Sequence, residues 1–279
     1  MGSISHASCR TGEAIHHVAP AMETLETRLL LSGGACAADG YFEIPVSAEV
    51  RPAANGELEF VEAVLDDDGA FDGLNEPKAS VISPDGGFVY VISGTRTDGA
   101  IAVLRRDPAT GAVEMVQGLT QPQVNDPSDV EISPDGKQVY VSDQEGDKIV
   151  VFDRDVVTGE LAYASTCHLR LSILDGPHPY DLSISSDGTS LYASGKDNLG
   201  LGVYQRNPAT GAIVEVQRIS GSTIRDHALS GDGEYLYASI SSPPGVAMYI
   251  RDTATGLLTE VGQVDNSGLW WTASAKPNW

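Results

Sequence analysis

The chain is poor in positive charge, cysteine and aromatic residues, and it has no long apolar run. Among 279 residues there are 17 Lys and Arg against 39 Asp and Glu, a net charge of -22. Affinity for nucleic acid rests on Lys and Arg displacing counterions from phosphates, so a nucleic-acid partner is excluded, and an anionic membrane surface is disfavoured for the same reason. Three cysteines, Cys9, Cys36 and Cys167, form neither a disulfide framework nor a zinc-type spacing. Cys167 beside His168 makes no ligand pair, because neighbours in a strand point to opposite faces. No segment approaches the roughly 20 apolar residues that span a bilayer as a helix, so no transmembrane segment is expected. The aromatic content is 6%, and all three tryptophans, Trp270, Trp271 and Trp279, fall at the C-terminal end.

What is abundant is repetition. A Ser-x-Asp-Gly step recurs at Asp85, Asp135, Asp187 and Asp232, each followed five residues later by Tyr90, Tyr140, Tyr192 and Tyr237. An Arg-x-x-x-Thr-Gly turn then follows at Arg106, Arg154, Arg206 and Arg251. The period of about 49 residues lies where repeats mean propeller blades or solenoid coils. Each unit reads as four short strands joined by hairpins. In the second, residues 129–133 alternate, Pro134-Asp-Gly turns, 138–142 run back, and Lys148 to Asp153 is nearly continuous in apolar residues before the Thr158-Gly159 turn. Pro presets φ, Asp bonds the local backbone and Gly takes the left-handed position. A strand apolar on both faces, such as Ile149 to Phe152, needs a cover on each side, which radially packed blades supply. The repeated Tyr is expected to pack, with its hydroxyl at a polar edge, and the repeated Arg to stabilise its turn.

The expected fold is therefore an all-β propeller of four-stranded antiparallel blades, incomplete or open: four full blades plus an N-terminal hairpin over residues 46–64. Residues 1–40 form a separate N-terminal segment, 41–264 the repeats, and 265–279 an aromatic tail outside the repeat pattern. Ring closure would require a partner hairpin from residues 264–279. A five-bladed ring closed by the tail, an open arc completed by another chain, and a truncated copy of a longer propeller all remain open, with truncation preferred. Open blade edges would favour self-association.

The Ser-Pro-Asp-Gly-x-x-Val-Tyr-Val steps at residues 83–91 and 133–141 resemble those of lactonase-type seven-bladed bacterial propellers, a family that includes 6-phosphogluconolactonase-like proteins. The segment Ala102 to Glu114 is similar to exported relatives in particular. Leu25-Glu-Thr-Arg-Leu-Leu-Leu-Ser32 resembles the Leu-Glu-Pro-Arg-x-Leu-Leu-Ser segment of exported bacterial proteins, with Thr27 in place of Pro, which implies an extracellular or cell-surface location. The family resemblance implies a substrate-facing His-rich turn, matched by Gly176-Pro-His-Pro-Tyr180, and an Arg-His step, matched by Arg225 and His227 around Asp226. His178 or His227 would then activate water, and Arg225 would stabilise the oxyanion of a lactone.

Two functions follow from these residues. One is an exported binding or interaction module for a small-molecule or protein ligand. The other is a lactone hydrolase using His178, Arg225 and His227. No cofactor signature is present. Asp66, Asp68 and Asp72, crowded with Asp67, offer oxygen ligands for a hard cation.

Overall fold

A computed structural model describes residues 74–96, 98–120, 123–169, 178–196, 200–241, 244–265 and 270–272. The 46–64 hairpin, the N-terminal segment and the candidate cation ligands Asp66, Asp68 and Asp72 lie outside these residues. The described chain is all-β, with each repeat forming one antiparallel sheet whose strands are in sequence order. The first blade comprises β1 (Pro77–Ile82), β2 (Phe88–Ser93), β3 (Ala100–Arg106) and β4 (Val113–Thr120). The second comprises β5 (Pro127–Ile132), β6 (Gln138–Asp143), β7 (Lys148–Arg154) and β8 (Leu161–His168). The third comprises β9 (Pro179–Ile184), β10 (Ser190–Gly195), β11 (Leu201–Arg206) and β12 (Ile213–Ile219). The fourth has β13 (Ile224–Leu229), β14 (Tyr235–Ser241), β15 (Pro244–Arg251), β16 (Leu258–Asp265) and a fifth strand, β17 (Trp270–Thr272). No helix among the described residues is long and apolar enough to cross a membrane.

The core lies between blades. Ile149, Val150, Val151 and Phe152 are all buried, as their two-sided apolar pattern requires. Phe88, Ile101 and Val103 of the first blade join Val130, Val139 and Phe152 of the second in one cluster. Ile149 and Val151 in turn join Leu182, Leu191 and Tyr204 of the third. Innermost strands pack in succession, β1 on β5, β5 on β9 and β9 on β13. The sheets do not close into a ring among the described residues.

The repeated cassette clasps one blade to the next. Arg206 of the third blade donates from Nε to the Tyr140 hydroxyl of the second at 2.7 Å, from Nη1 to Gly188 O at 2.8 Å, and from Nη2 to Asp135 and Gln138. Tyr140 in turn donates its hydroxyl proton to Gly211 O, in the Thr-Gly turn that follows Arg206, at 2.8 Å. Arg154 does the same with Tyr90, Gly136 and Asp85, and Arg251 with Tyr192, Gly233 and Asp187. From sequence the Arg is expected to stabilise the Thr-Gly turn that it heads; its guanidinium instead bonds the Gly carbonyl of the Asp-Gly turn in its own blade, as one arm of a clasp to the blade before. Burial works to raise the Asp135 carboxyl, yet the Ser133 hydroxyl, the Lys137 N–H and the Arg206 charge outweigh it and hold the group below the usual range.

A second clasp lies on the innermost strands. Asp129 Oδ2 accepts the Leu182 N–H at 2.8 Å, and Asp181 Oδ2 accepts the His227 N–H at 2.8 Å, each from the following blade. The described part of the aromatic tail, β17, pairs antiparallel to β16, with Val264 opposite Trp270 and Gly262 opposite Thr272. It therefore widens the fourth sheet.

Candidate functional site

The three seams between successive innermost strands differ in polarity. At the first, Ala79 and Val81 of β1 pack with Val130 of β5 in an apolar cluster. At the second, Asp129 and Glu131 of β5 lie against β9, where Leu182 is buried. At the third, the corresponding positions carry Asp181 and Ser183 on β9 and His227 on β13. Polarity thus rises toward the fourth blade.

His227 occupies a strand position where the two preceding blades place Val130 and Leu182, and its side chain is fully enclosed. A polar ring there needs partners, and it has them. Nε2 lies 2.9 Å from Ser183 Oγ, and Nδ1 lies 3.2 Å from Ser194 Oγ and 2.8 Å from Asp181 Oδ2. Asp181 therefore touches both the backbone N–H and the ring of His227. Arg225, two residues earlier on β13, is exposed, and its guanidinium lies 5.3 Å from the Tyr180 ring centroid, within cation–π range.

His178 is held elsewhere. It precedes β9 with φ 36°, a left-handed conformation that costs a non-glycine residue energy. Its N–H donates to Asp147 Oδ1 at 3.1 Å, and its ring Nδ1 lies 3.0 Å from Gln144 O, both on the loop between β6 and β7. A carbonyl accepts only, so in the neutral ring Nδ1 carries the proton and Nε2 the lone pair. The structure thus brings Arg225 and His227 to one seam and places His178 against the second blade.

Sequence reasoning missed Asp181, Ser183, Asp129 and Glu131. The signal was present as an Asp recurring at the third position of the innermost strands: Pro127-Ser-Asp129, Pro179-Tyr-Asp181 and Ile224-Arg-Asp226. Desolvation, with the Asp181 charge adding to it, pushes the Glu131 carboxyl up to about 7, and desolvation raises Asp129 as well. The folded chain holds the Glu131 proton up to about pH 7, whereas the unfolded chain releases it near 4.5. Between those values the unfolded state binds fewer protons, so this group makes stability fall as pH rises. Glu131→Gln is expected to be more stable than the parent above pH 7, by roughly 1–3 kcal/mol. The difference should vanish below about pH 4.5, the carboxyl's ordinary value, as read by thermal melts across that range. Among the described residues no group of three His, Cys, Asp or Glu side chains is placed to hold a metal ion.

Radial four-stranded blades, clasped in sequence and carrying an ionisable cluster on their innermost strands, define a β-propeller with a polar inner seam. The family model for the lactonase, 7-bladed beta-propeller group matches residues 45–169 and 174–268, and the chain belongs to that family. A 6-phosphogluconolactonase of Formosa agariphila is 31% identical over 127 residues, covering 44% of this chain and 35% of the relative. A candidate 6-phosphogluconolactonase from Bacteroides uniformis superposes with a TM-score of 0.61 at 22% identity, over 70% of this chain and 60% of that one. A protein from Lactobacillus plantarum gives 0.60 at 18% identity, over 82% and 63%. The chain therefore spans about a third of the curated relative and less than two thirds of these solved structures.

Proposed function

We propose that the chain hydrolyses a sugar-acid lactone at the third seam. The observation that carries this reading is the Ser183 hydroxyl 2.9 Å from Nε2 of an enclosed His227, whose Nδ1 is 2.8 Å from Asp181; Arg225 stands two residues before His227 on the same strand, over the Tyr180 ring. A hydroxyl, a base and a carboxylate that holds the base are the parts that acyl transfer needs. His227 accepts the Ser183 proton as Oγ adds to the lactone carbonyl, and Arg225 meets the negative charge that develops on the carbonyl oxygen. His227 then returns the proton to the ring oxygen as the acyl C–O bond breaks, leaving an ester on Ser183. A water, deprotonated by the same imidazole, adds to that ester, and the imidazolium returns the proton to Ser183 Oγ as the acyl bond breaks, giving the free acid and the starting side chains. Membership of the lactonase family and the 6-phosphogluconolactonase relative support the substrate class. Asp181 at the seam, in a chain of net charge -22, disfavours a phosphorylated substrate and favours a neutral one.

The test is the rate of glucono-1,5-lactone opening above the spontaneous rate, compared with its 6-phosphate. Hydrolysis should favour the neutral lactone. Arg225→Ala should lower kcat about 100-fold, and Ser183→Ala by at least as much. A parent protein no faster than buffer, or variants that match it, would remove the hydrolase reading. The enclosure of the His227 ring favours a second reading, in which the same seam binds a sugar acid without turning it over. Calorimetric binding of gluconate without hydrolysis would select that one.

A further inference from the structure

Three of the four repeated tyrosines, Tyr90, Tyr140 and Tyr192, are completely buried in their clasps, whereas Tyr237 of the fourth blade is 43% exposed. Asp232, the companion of Tyr237, bonds only its own turn, through Ser230 and the Glu234 N–H, among the described residues. Asp226 is likewise exposed at the strand position where Asp129 and Asp181 each accept an N–H from the next blade. On the neighbouring strand Val246 and Ile250 are 47% exposed, and a depression lined by Glu234, Tyr235, Ile250 and Thr259 opens beside them. In the clasps inside the chain, the position of Tyr235 is taken by Phe88, Gln138 and Ser190, the residues on which the next blade's Thr-Gly turn rests. The fourth blade thus presents the acceptor half of a clasp.

The donor half is at the first blade. Arg154, Arg206 and Arg251 are buried, each bonded to the blade before it, while Arg106 is only half-buried and its side chain bonds, among the described residues, to Gly86 O in the Asp-Gly turn of its own blade at 3.2 Å. It heads the same turn, Arg106-Asp-Pro-Ala-Thr-Gly111. Beside it, on the innermost strand, Ser80 is exposed where β5 and β9 bury Val130 and Leu182, and Ile82 is 54% exposed where β5 buries Ile132.

We propose that the fourth-blade face receives the Arg106 edge of a second copy of this chain, in a head-to-tail contact that repeats the clasps within each chain. Arg106 of one copy would then bond Tyr237 and Asp232 of the other, and Asp226 would take an N–H from the open edge of β1. The two surfaces are different, so the contact is heterologous. It closes into a ring if the rotation permits and otherwise extends into a filament.

Light scattering of the full chain over a range of concentrations tests this, with Arg106→Ala and Tyr237→Ala as variants, each checked for fold by circular dichroism and a thermal melt. Both substitutions lie at exposed or half-exposed positions, and Arg106→Gln and Tyr237→Phe serve if either fails to fold. The parent should show mass above one chain of 29.4 kDa that grows with concentration. Each variant should stay at one chain, and an equimolar mixture of the two should form a two-chain species, because one intact Arg106 edge and one intact Tyr237 face remain. Single-chain mass for the parent at every concentration, undiminished association of the variants, or a mixture that stays monomeric would each overturn the proposal. None of these readouts depends on lactone hydrolysis.

Discussion

Arg206→Ala is expected to destabilise the chain by about 2–4 kcal/mol, the cost of leaving two buried acceptors without their donor. The guanidinium makes bonds to Tyr140, Gly188, Asp135 and Gln138, and its loss leaves the buried Tyr140 hydroxyl oxygen and the Gly188 carbonyl without that donor, although Tyr140 keeps its own bond to Gly211 O. Asp135 is partly exposed and water will resolvate it, so most of the cost comes from the uncharged groups left without a donor. Tyr140→Phe removes the hydroxyl alone and should cost less, about 1–2 kcal/mol. Arg106→Ala is the internal control: it has the same residue type in the same turn but one described bond and partial exposure, and should cost under about 1 kcal/mol. Urea denaturation at a single low protein concentration measures all three. Equal effects at Arg106 and Arg206 would mean that the repeated Arg acts within its own blade and not between blades.

Gly159→Ala should be as damaging, at roughly 2–4 kcal/mol from backbone strain and overpacking together. The residue has φ 79°, and a Cβ there would lie 2.2 Å from the Phe88 ring of the preceding blade. Its carbonyl also accepts the Tyr90 hydroxyl at 2.9 Å, so the turn cannot retreat without breaking a clasp. Gly221, with φ 108° and open space around it, separates the two terms. There the same substitution meets only the backbone penalty, about 1–2 kcal/mol. Comparable midpoints for both variants would show that close approach of the Thr-Gly turn to the preceding blade carries no energy.

Much of this fold is visible in the spacing of Ser-x-Asp-Gly, Tyr and Arg, because strand length, turn type and two-sided burial are local properties. Lys148 to Arg154 forms β7 where the apolar run predicts it, and its buried face-to-face packing follows from Ile149 to Phe152. The clasp itself was hidden. Tyr140 and Arg206 are 66 residues apart, and a pairing at that separation depends on which blade follows which, not on any local rule. The site was legible in part for the same reason. His227 and Arg225 stand out by type on one strand, but Ser183 and Asp181 acquire meaning only when β9 and β13 face each other. His178 looked equivalent to His227 from its Pro-His-Pro setting, and the fold turns its Nδ1 toward Gln144 of the second blade.

The β17 strand illustrates a different limit. The sequence from Val264 onward begins like a connector between blades, yet Trp270 to Thr272 return along β16. Trp and Thr favour strands wherever an unpaired edge is available, and the outer edge of the fourth sheet is such an edge.

The most direct test of the functional account is a crystal structure of the chain with gluconolactam, whose amide resists opening while keeping the carbonyl and the ring hydroxyls of the lactone. The account predicts the lactam at the seam between β9 and β13, its carbonyl oxygen about 3 Å from the Arg225 guanidinium and its carbonyl carbon facing Ser183 Oγ. A ligand bound at another seam, or one at this seam with its carbonyl turned away from both Arg225 and Ser183, would contradict it.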